Sequence, residues 1–243
     1  GADGAASTVR DLAGIDISTH DYGQLGVVAT VATELAHGRV ARQRFLPGGP
    51  VAFLPLADGR CSIVWSQPAD EAPERLDLSE EAFRDALTAA SGRFLGAVTD
   101  CGERAAFPLR RQHAARYVGD RVALVGDAAH VIHPLAGQGA NLGFLDAAAL
   151  VECLSAAREA GRDPGGAAVL RRYERWRKGD NLLMQNAMDG FHQLFGRTDA
   201  ATVGLRSLGL SVADRLLPLK QRFMAHAMGE RGDLPALARA GGG

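Results

Sequence analysis

Residues 121–146 read Arg121-Val122-Ala123-Leu124-Val125-Gly126-Asp127-Ala128-Ala129-His130-Val131-Ile132-His133-Pro134-Leu135-Ala136-Gly137-Gln138-Gly139-Ala140-Asn141-Leu142-Gly143-Phe144-Leu145-Asp146. The apolar run Val122–Val125 predicts a strand that stops at Gly126-Asp127. A loop with Pro134, Gly137 and Gly139 follows, and apolar periodicity starts a helix near Ala140 or Asn141. A strand ending in a carboxylate, a Gly-rich loop and a helix start can together hold a polar, electron-rich cofactor. The carboxylate accepts hydrogen bonds from sugar-type hydroxyls. The glycines let the backbone approach a ring closely. The helix start offers unpaired N–H groups and a partial positive charge.

Upstream the chain is rich in strand signals. Leu25–Glu34 is β-rich, and Val40–Leu46 alternates apolar residues with Arg42 and Arg44. Pro47-Gly48-Gly49-Pro50 is a turn, and Asp58-Gly59 joins the strands Val51–Leu56 and Cys61–Gln67 as a hairpin. An antiparallel sheet therefore covers roughly residues 22–67. Ser79 opens a helix to about Ala90, and Glu103–Arg110 reads as a further strand. After Ala140 helices dominate: Ala140–Ala160, Ala167–Phe195 with a break at Gly190, and about Ala200–Met228, before a Gly241-Gly242-Gly243 tail. Strands first and helices later is not the alternating rhythm of a complete dinucleotide-binding sheet. The fold class expected is α+β.

Composition narrows the partners. Lys and Arg number 27 against 28 Asp and Glu, a net charge of −1, so no global field favours nucleic acid. Cys61, Cys101 and Cys153 are scattered, which argues against a disulfide framework or a zinc site. No apolar run approaches the ~20 residues needed to span a bilayer.

The stretch Gly126-Asp127-Ala128-Ala129-His130, with Pro134 and then Gly137-Gln138-Gly139-Ala140-Asn141-Leu142-Gly143, closely resembles a motif of FAD-dependent aromatic hydroxylases, the class A flavoprotein monooxygenases. The start Gly1-Ala2-Asp3-Gly4, with Ser7 and Val9-Arg10, resembles that family's second signature. Ala41–Phe45, Ala52–Leu56, Cys61–Ser66 and Leu170–Arg175 are similar to its ubiquinone-biosynthesis group. The family's G-x-G-x-x-G unit, which seats the ADP part of FAD on a helix N-terminus, has no counterpart here. The chain, opening on Gly1 without a Met, therefore reads as a carboxy-terminal portion, expected to be flavin-free and inactive alone. The intact protein would be α/β. In the expected division, residues 1–20 are a remnant of the FAD-binding domain and 21–112 an antiparallel-sheet substrate domain. Residues 113–160 continue the FAD-binding domain, and 161–240 are C-terminal helices.

The resemblance assigns Asp127, beside Gly126, to the ribityl hydroxyls of FAD; the bland alternative is a strand-terminal Asp capping the next turn. It places Pro134, Gly137, Gln138 and Gly139 beside the isoalloxazine ring, with the amides near Ala140, Asn141 and Leu142 facing its pyrimidine edge. Asp3 and Gly4 would lie near the pyrophosphate, with Arg10 a charge partner or a structural anchor. Arg42 and Arg44 would orient a substrate ring, or form an ordinary solvent-facing strand side. Phe53, Leu54 and Pro55, with Phe45 and Trp65, would line an apolar pocket or fill the core. His130 and His133 are read as structural, since no third ligand completes a metal site. The basic run Arg171–Lys178 meets a membrane or partner, or is a solvated helix face.

The chemistry implied consumes dioxygen and NAD(P)H. One oxygen atom enters a polyprenyl phenol on the route to ubiquinone and the other leaves as water. The alternatives are hydroxylation of a small soluble aromatic, or a non-catalytic scaffold or assembly module. Expected partners are a ubiquinone-biosynthesis complex and no nucleic acid; the expected location is cytoplasmic, peripheral at the membrane. A bare edge at Val122–Val125 would favour homo-oligomers.

Overall fold

The computed structural model describes residues 1–133, 138–196 and 233–239. The strands are β1 (Ile17–Thr33), β2 (Arg42–Arg44), β3 (Val51–Pro55), β4 (Cys61–Pro68), β5 (Val98–Cys101), β6 (Ala105–Ala114), β7 (Val118–Gly119), β8 (Val122–Ala123) and β9 (His130–Val131). The helices are α1 (Thr8–Leu12), α2 (Ala72–Asp77), α3 (Glu80–Ser91), α4 (Gln138–Glu159) and α5 (Ala167–Gly196). Contacts divide the chain into two units: Asp21–Leu109, and Gly1–His20 with Arg110–His192 and residues 233–239.

In the Asp21–Leu109 unit the antiparallel sheet runs β2-β3-β4-β1, and β5 pairs with the end of β1. Register places Val27 opposite Trp65, Ala29 opposite Ile63, and Phe53 opposite Ile63. Opposed residues share a face, so these side chains form one apolar layer. Phe83 and Leu87 of α3 complete that core, and the rings of Phe53 and Phe94 meet edge to face at 5.1 Å. Ser79 starts α3 by accepting from the Ala82 amide, and Gly92 ends it at φ +65°.

Three expectations need adjustment. The strand expected at Val40–Leu46 is only Arg42–Arg44, because Gly38 and Arg39 both take positive φ and a turn consumes its start. β1 begins at Ile17, where its polar, exposed residues carry no apolar period to read. β5 and α2 are too short to show a period at all.

In the other unit α4 and α5 supply the core. Leu142, Asp146, Ala149, Cys153 and Ala157 form the buried stripe of α4; Val169, Leu170, Tyr173, Arg177, Asn181 and Gln185 form that of α5. α4 has the length and composition of a membrane-spanning helix, although no such run was expected. Its buried Asp146 accepts from Arg177 and Asn181 of α5. Helix α5 passes through Gly190 without the expected break. One glycine costs a helix only about 1 kcal/mol, too little to end one this long. The helix expected at about Ala200–Met228 and the Gly241–Gly243 tail lie outside the described residues.

The basic run Arg171–Lys178 is not a uniformly solvated face. Arg177 and Tyr173 are fully buried, Tyr173 donates its hydroxyl to the Leu124 carbonyl, and Glu174 accepts from the Tyr117 amide. The strand expected at Val122–Val125 is only Val122–Ala123, paired with β7. Gly1 donates its N–H to the Ala123 carbonyl and accepts from Val125 N, both at 2.8 Å, the pattern of a parallel bridge. On the other side Leu124 N donates to Tyr117 O.

Phe53 was a candidate for the substrate pocket and is 1% exposed in the core. Phe53→Ala is expected to lower stability by about 3–5 kcal/mol, read from urea unfolding. A loss below about 1 kcal/mol would place the ring outside the packed core.

Candidate functional site

Gly126–Ala128 form a single 3-10 turn directly after Val125, which follows the buried Leu124. Gly126 has φ +61°, a conformation glycine adopts without strain. A Cβ on Gly126 would lie 3.6 Å from Gly143 Cα, and one on Gly143 would lie 3.3 Å from Gly126 Cα. The two glycines thus let α4 seat its second turn against the end of the strand. Asp127 projects from this turn, exposed, and its carboxylate makes no hydrogen bond or ion pair among the described residues. The capping role that competes with ligand binding is therefore not in use.

The turn is held from behind by a buried carboxylate. Asp146 of α4 accepts from Gly126 N at 3.2 Å and from His130 Nε2 at 2.6 Å through Oδ2. Its Oδ1 accepts from Arg177 Nε at 2.9 Å and Asn181 Nδ2 at 3.0 Å. Burial pushes the Asp146 carboxyl upward, but the His130 bond, Asn181 and the Arg177 charge together hold it below the usual range. His130 is in turn stacked on Tyr117 at 5.8 Å. Asp146, Arg177 and Asn181 were not among the sequence candidates. An isolated Asp in an apolar helix stretch, with Arg and Asn four residues apart on another helix, was the signal that could have found them.

The Gly1–Arg10 segment packs against the same turn. Asp3 accepts from Ser7 Oγ at 2.6 Å and Val9 N at 3.1 Å, bonds that lower its carboxyl below the usual range. It serves the start of α1. Gly4 has φ +83°, with open space where a Cβ would stand. Arg10 is buried and donates Nη1 to the carbonyls of Ala5 (3.1 Å) and Ala128 (3.3 Å). It ties one signature to the other, which is the anchor reading.

Helix α4 starts at Gln138, two residues ahead of Ala140. Ala140 and Asn141 are exposed, Gly139 half-buried, and the Leu142 side chain is in the core, leaving its backbone for any ligand contact. Pro134 and Gly137 lie outside the described residues. His130 spends its Nε2 on Asp146, and among the described residues no three His, Cys, Asp or Glu side chains converge as a metal site.

In the sheet unit the proposed substrate arginines meet backbone. Arg42 donates to the carbonyls of His37 (2.7 Å) and Val40 (3.2 Å). Arg44 donates to those of Ala89 (3.3 Å) and Ala90 (3.2 Å), at the end of α3. Phe53 and Trp65 are core; Phe45 and Leu54 are exposed, and Pro55 is half-buried.

The donor set suits FAD. An exposed carboxylate with no partner among the described residues can take sugar-type hydroxyls, the helix start supplies amides, and glycines keep both approaches open. The family model described as FAD binding domain matches residues 1–181, and the chain belongs to that family. A ubiquinone hydroxylase of Rhodospirillum rubrum is 47% identical over 229 residues, covering 94% of this chain and 53% of the relative. The 3-demethoxyubiquinol 3-hydroxylase of Escherichia coli is 40% identical over 229 residues, covering 94% and 58%. Among solved structures, the anhydrotetracycline hydroxylase of Streptomyces rimosus matches with a TM-score of 0.64 at 30% identity, over 93% of this chain and 44% of that one. The chain spans about half the length of the curated relatives it matches.

Arg44→Ala removes two bonds to the last carbonyls of α3 and a charge favourable to the helix end. It is expected to cost about 1 kcal/mol of stability, measured by urea unfolding; no loss would free Arg44 for another role. His113 is pushed down to about 4, first by burial and then by the nearby charges of Lys178, His130 and Arg111, against a raising contribution from Gln185. The unfolded chain binds a proton near the ordinary value of about 6.5. The folded state refuses it until about 4, so stability falls as pH drops through this window. His113→Leu is expected to flatten the fall in urea midpoint between about pH 7 and about pH 4. An unchanged slope would remove His113 as its source.

Proposed function

We propose that this member of the FAD binding domain family forms the flavin-ring and substrate portion of a monooxygenase that hydroxylates a polyprenyl phenol in ubiquinone biosynthesis. The observation that carries the reading is Asp127: an exposed carboxylate without a partner among the described residues, on a glycine turn seated against the first turns of α4. The identity of 47% to a ubiquinone hydroxylase supports the substrate class.

Bound FAD, reduced by NAD(P)H, would supply the redox chemistry that puts one atom of dioxygen on the ring and releases the other as water. The residues of this chain bind and orient. Asp127 accepts hydrogen bonds from cofactor hydroxyls. The first amides of α4 donate toward an electron-rich ring edge, where the helix dipole favours negative charge. Arg10 fixes the distance between the Gly1–Ala5 segment and the Asp127 turn through its two carbonyl bonds. In the Asp21–Leu109 unit Arg42 and Arg44 are spent on that unit's own loop and helix end. No side-chain nucleophile is needed. A polyprenyl substrate further favours peripheral membrane association and a biosynthetic complex.

A second reading, a soluble polycyclic or monocyclic aromatic as substrate, is favoured by the 30% identity to the anhydrotetracycline hydroxylase. The closer identity to the ubiquinone hydroxylase ranks it second.

In the full-length protein, Asp127→Ala is expected to raise the FAD dissociation constant at least about tenfold, as for loss of hydrogen bonds to a charged group. Flavin fluorescence titration reads this, and unchanged affinity would remove Asp127 from the site. Separately, the full-length gene is expected to restore ubiquinone to a strain lacking the corresponding hydroxylase. Failure there, with turnover of soluble aromatics by the purified protein, would favour the second reading.

A further inference from the structure

The Asp127 turn is clasped at both ends by one oxygen of a buried side chain. Asp146 Oδ2 accepts from the amide of Gly126, just before Asp127, and from the ring of His130, three residues after it. The other oxygen is anchored to Arg177 and Asn181 of α5. Asp146, His130, Arg177 and Asn181 are all buried, so no water competes for these bonds. Asp146 also belongs to α4, whose first turns carry the other candidate cofactor amides.

We propose that Asp146, acting through Gly126 and His130, is the positioning residue of the flavin site, setting where the Asp127 carboxylate stands relative to the start of α4. This rests on the reading of Asp127 as a cofactor contact. The physical basis is the fixed geometry of a carboxylate. Two donors on one oxygen sit within a few ångströms of each other, so residues 126 and 130 are drawn together and residue 127 is forced outward. The anionic Asp146 can only accept, so His130 Nε2 carries the proton of their bond. His130 holds the turn as a donor.

His130 is the residue through which to test this, because replacing Asp146 would leave Arg177 buried and unpaired and endanger the fold. A glutamine at 130 can place its amide N–H where Nε2 stands and keep the bond to Asp146; an asparagine is too short to reach. In the full-length protein, FAD affinity is measured by flavin fluorescence for His130→Gln, His130→Asn, Asp127→Ala and the double variant Asp127→Ala/His130→Asn. Thermal unfolding of each flavin-free protein is followed in parallel. His130→Asn is expected to weaken FAD about tenfold, by loss of a hydrogen bond to a charged group, and His130→Gln to restore most of that. The double variant is expected to bind no more weakly than Asp127→Ala alone, since the effect of His130 passes through Asp127.

If the two losses multiply in the double variant, or if His130→Asn binds normally while Asp127→Ala does not, the positioning role is overturned and the cofactor reading stands. If Asp127→Ala itself binds normally, the cofactor reading fails first. Equal weakening by His130→Gln and His130→Asn also overturns the proposal. Should His130→Asn not fold, His130→Ala, which leaves room for water, takes its place in the same comparison.

Discussion

The unit built on α4 and α5 depends on one buried charge. An isolated carboxylate inside a protein costs several kcal/mol, and it is tolerated only when its charge is paired and its lone pairs are filled. Asp146 meets both conditions with four donors from three parts of the chain: the Gly126 amide, the His130 ring, and Arg177 with Asn181 of α5. Each donor has to be in place for the others to be worth their burial. The arrangement therefore behaves as a unit, and it explains why a turn with little apolar mass of its own can hold a defined shape.

Around that charge the packing is made of small residues. Gly126 and Gly143 let a strand end and a helix come to within van der Waals contact of backbone, and Ala149, Cys153 and Ala157 are buried further along α4. Arg10 adds a second tether, from the Gly1–Ala5 segment to Ala128. The outcome is a braced turn from which the exposed Asp127 carboxylate projects, the geometry expected of a binding residue supported from behind.

Much of this was legible in residue order. The hairpin at Asp58-Gly59, the helix opened by Ser79 and the two long helices follow from local turn chemistry and apolar periodicity. The Gly126-Asp127 turn and the glycine pattern after it pointed to the site. Other parts were not legible. β5, α2 and the first residues of β1 are too short or too polar to show a period. Arg42 and Arg44 lie at alternate positions on a strand, as ligand-binding arginines would, yet their partners are backbone carbonyls that only the folded loop and the end of α3 bring near.

The same division holds for Arg171–Lys178, a basic run by composition, in which Tyr173 and Arg177 are fully buried. Sequence by itself determined the fold class, the main elements, the family and the residue types at the cofactor turn, because these rest on local propensity and short-range spacing. Tertiary structure alone decided which charges are buried and with whom. Asp146 and Arg177 are 31 residues apart, and a pairing across that distance depends on helix packing, which no local pattern encodes.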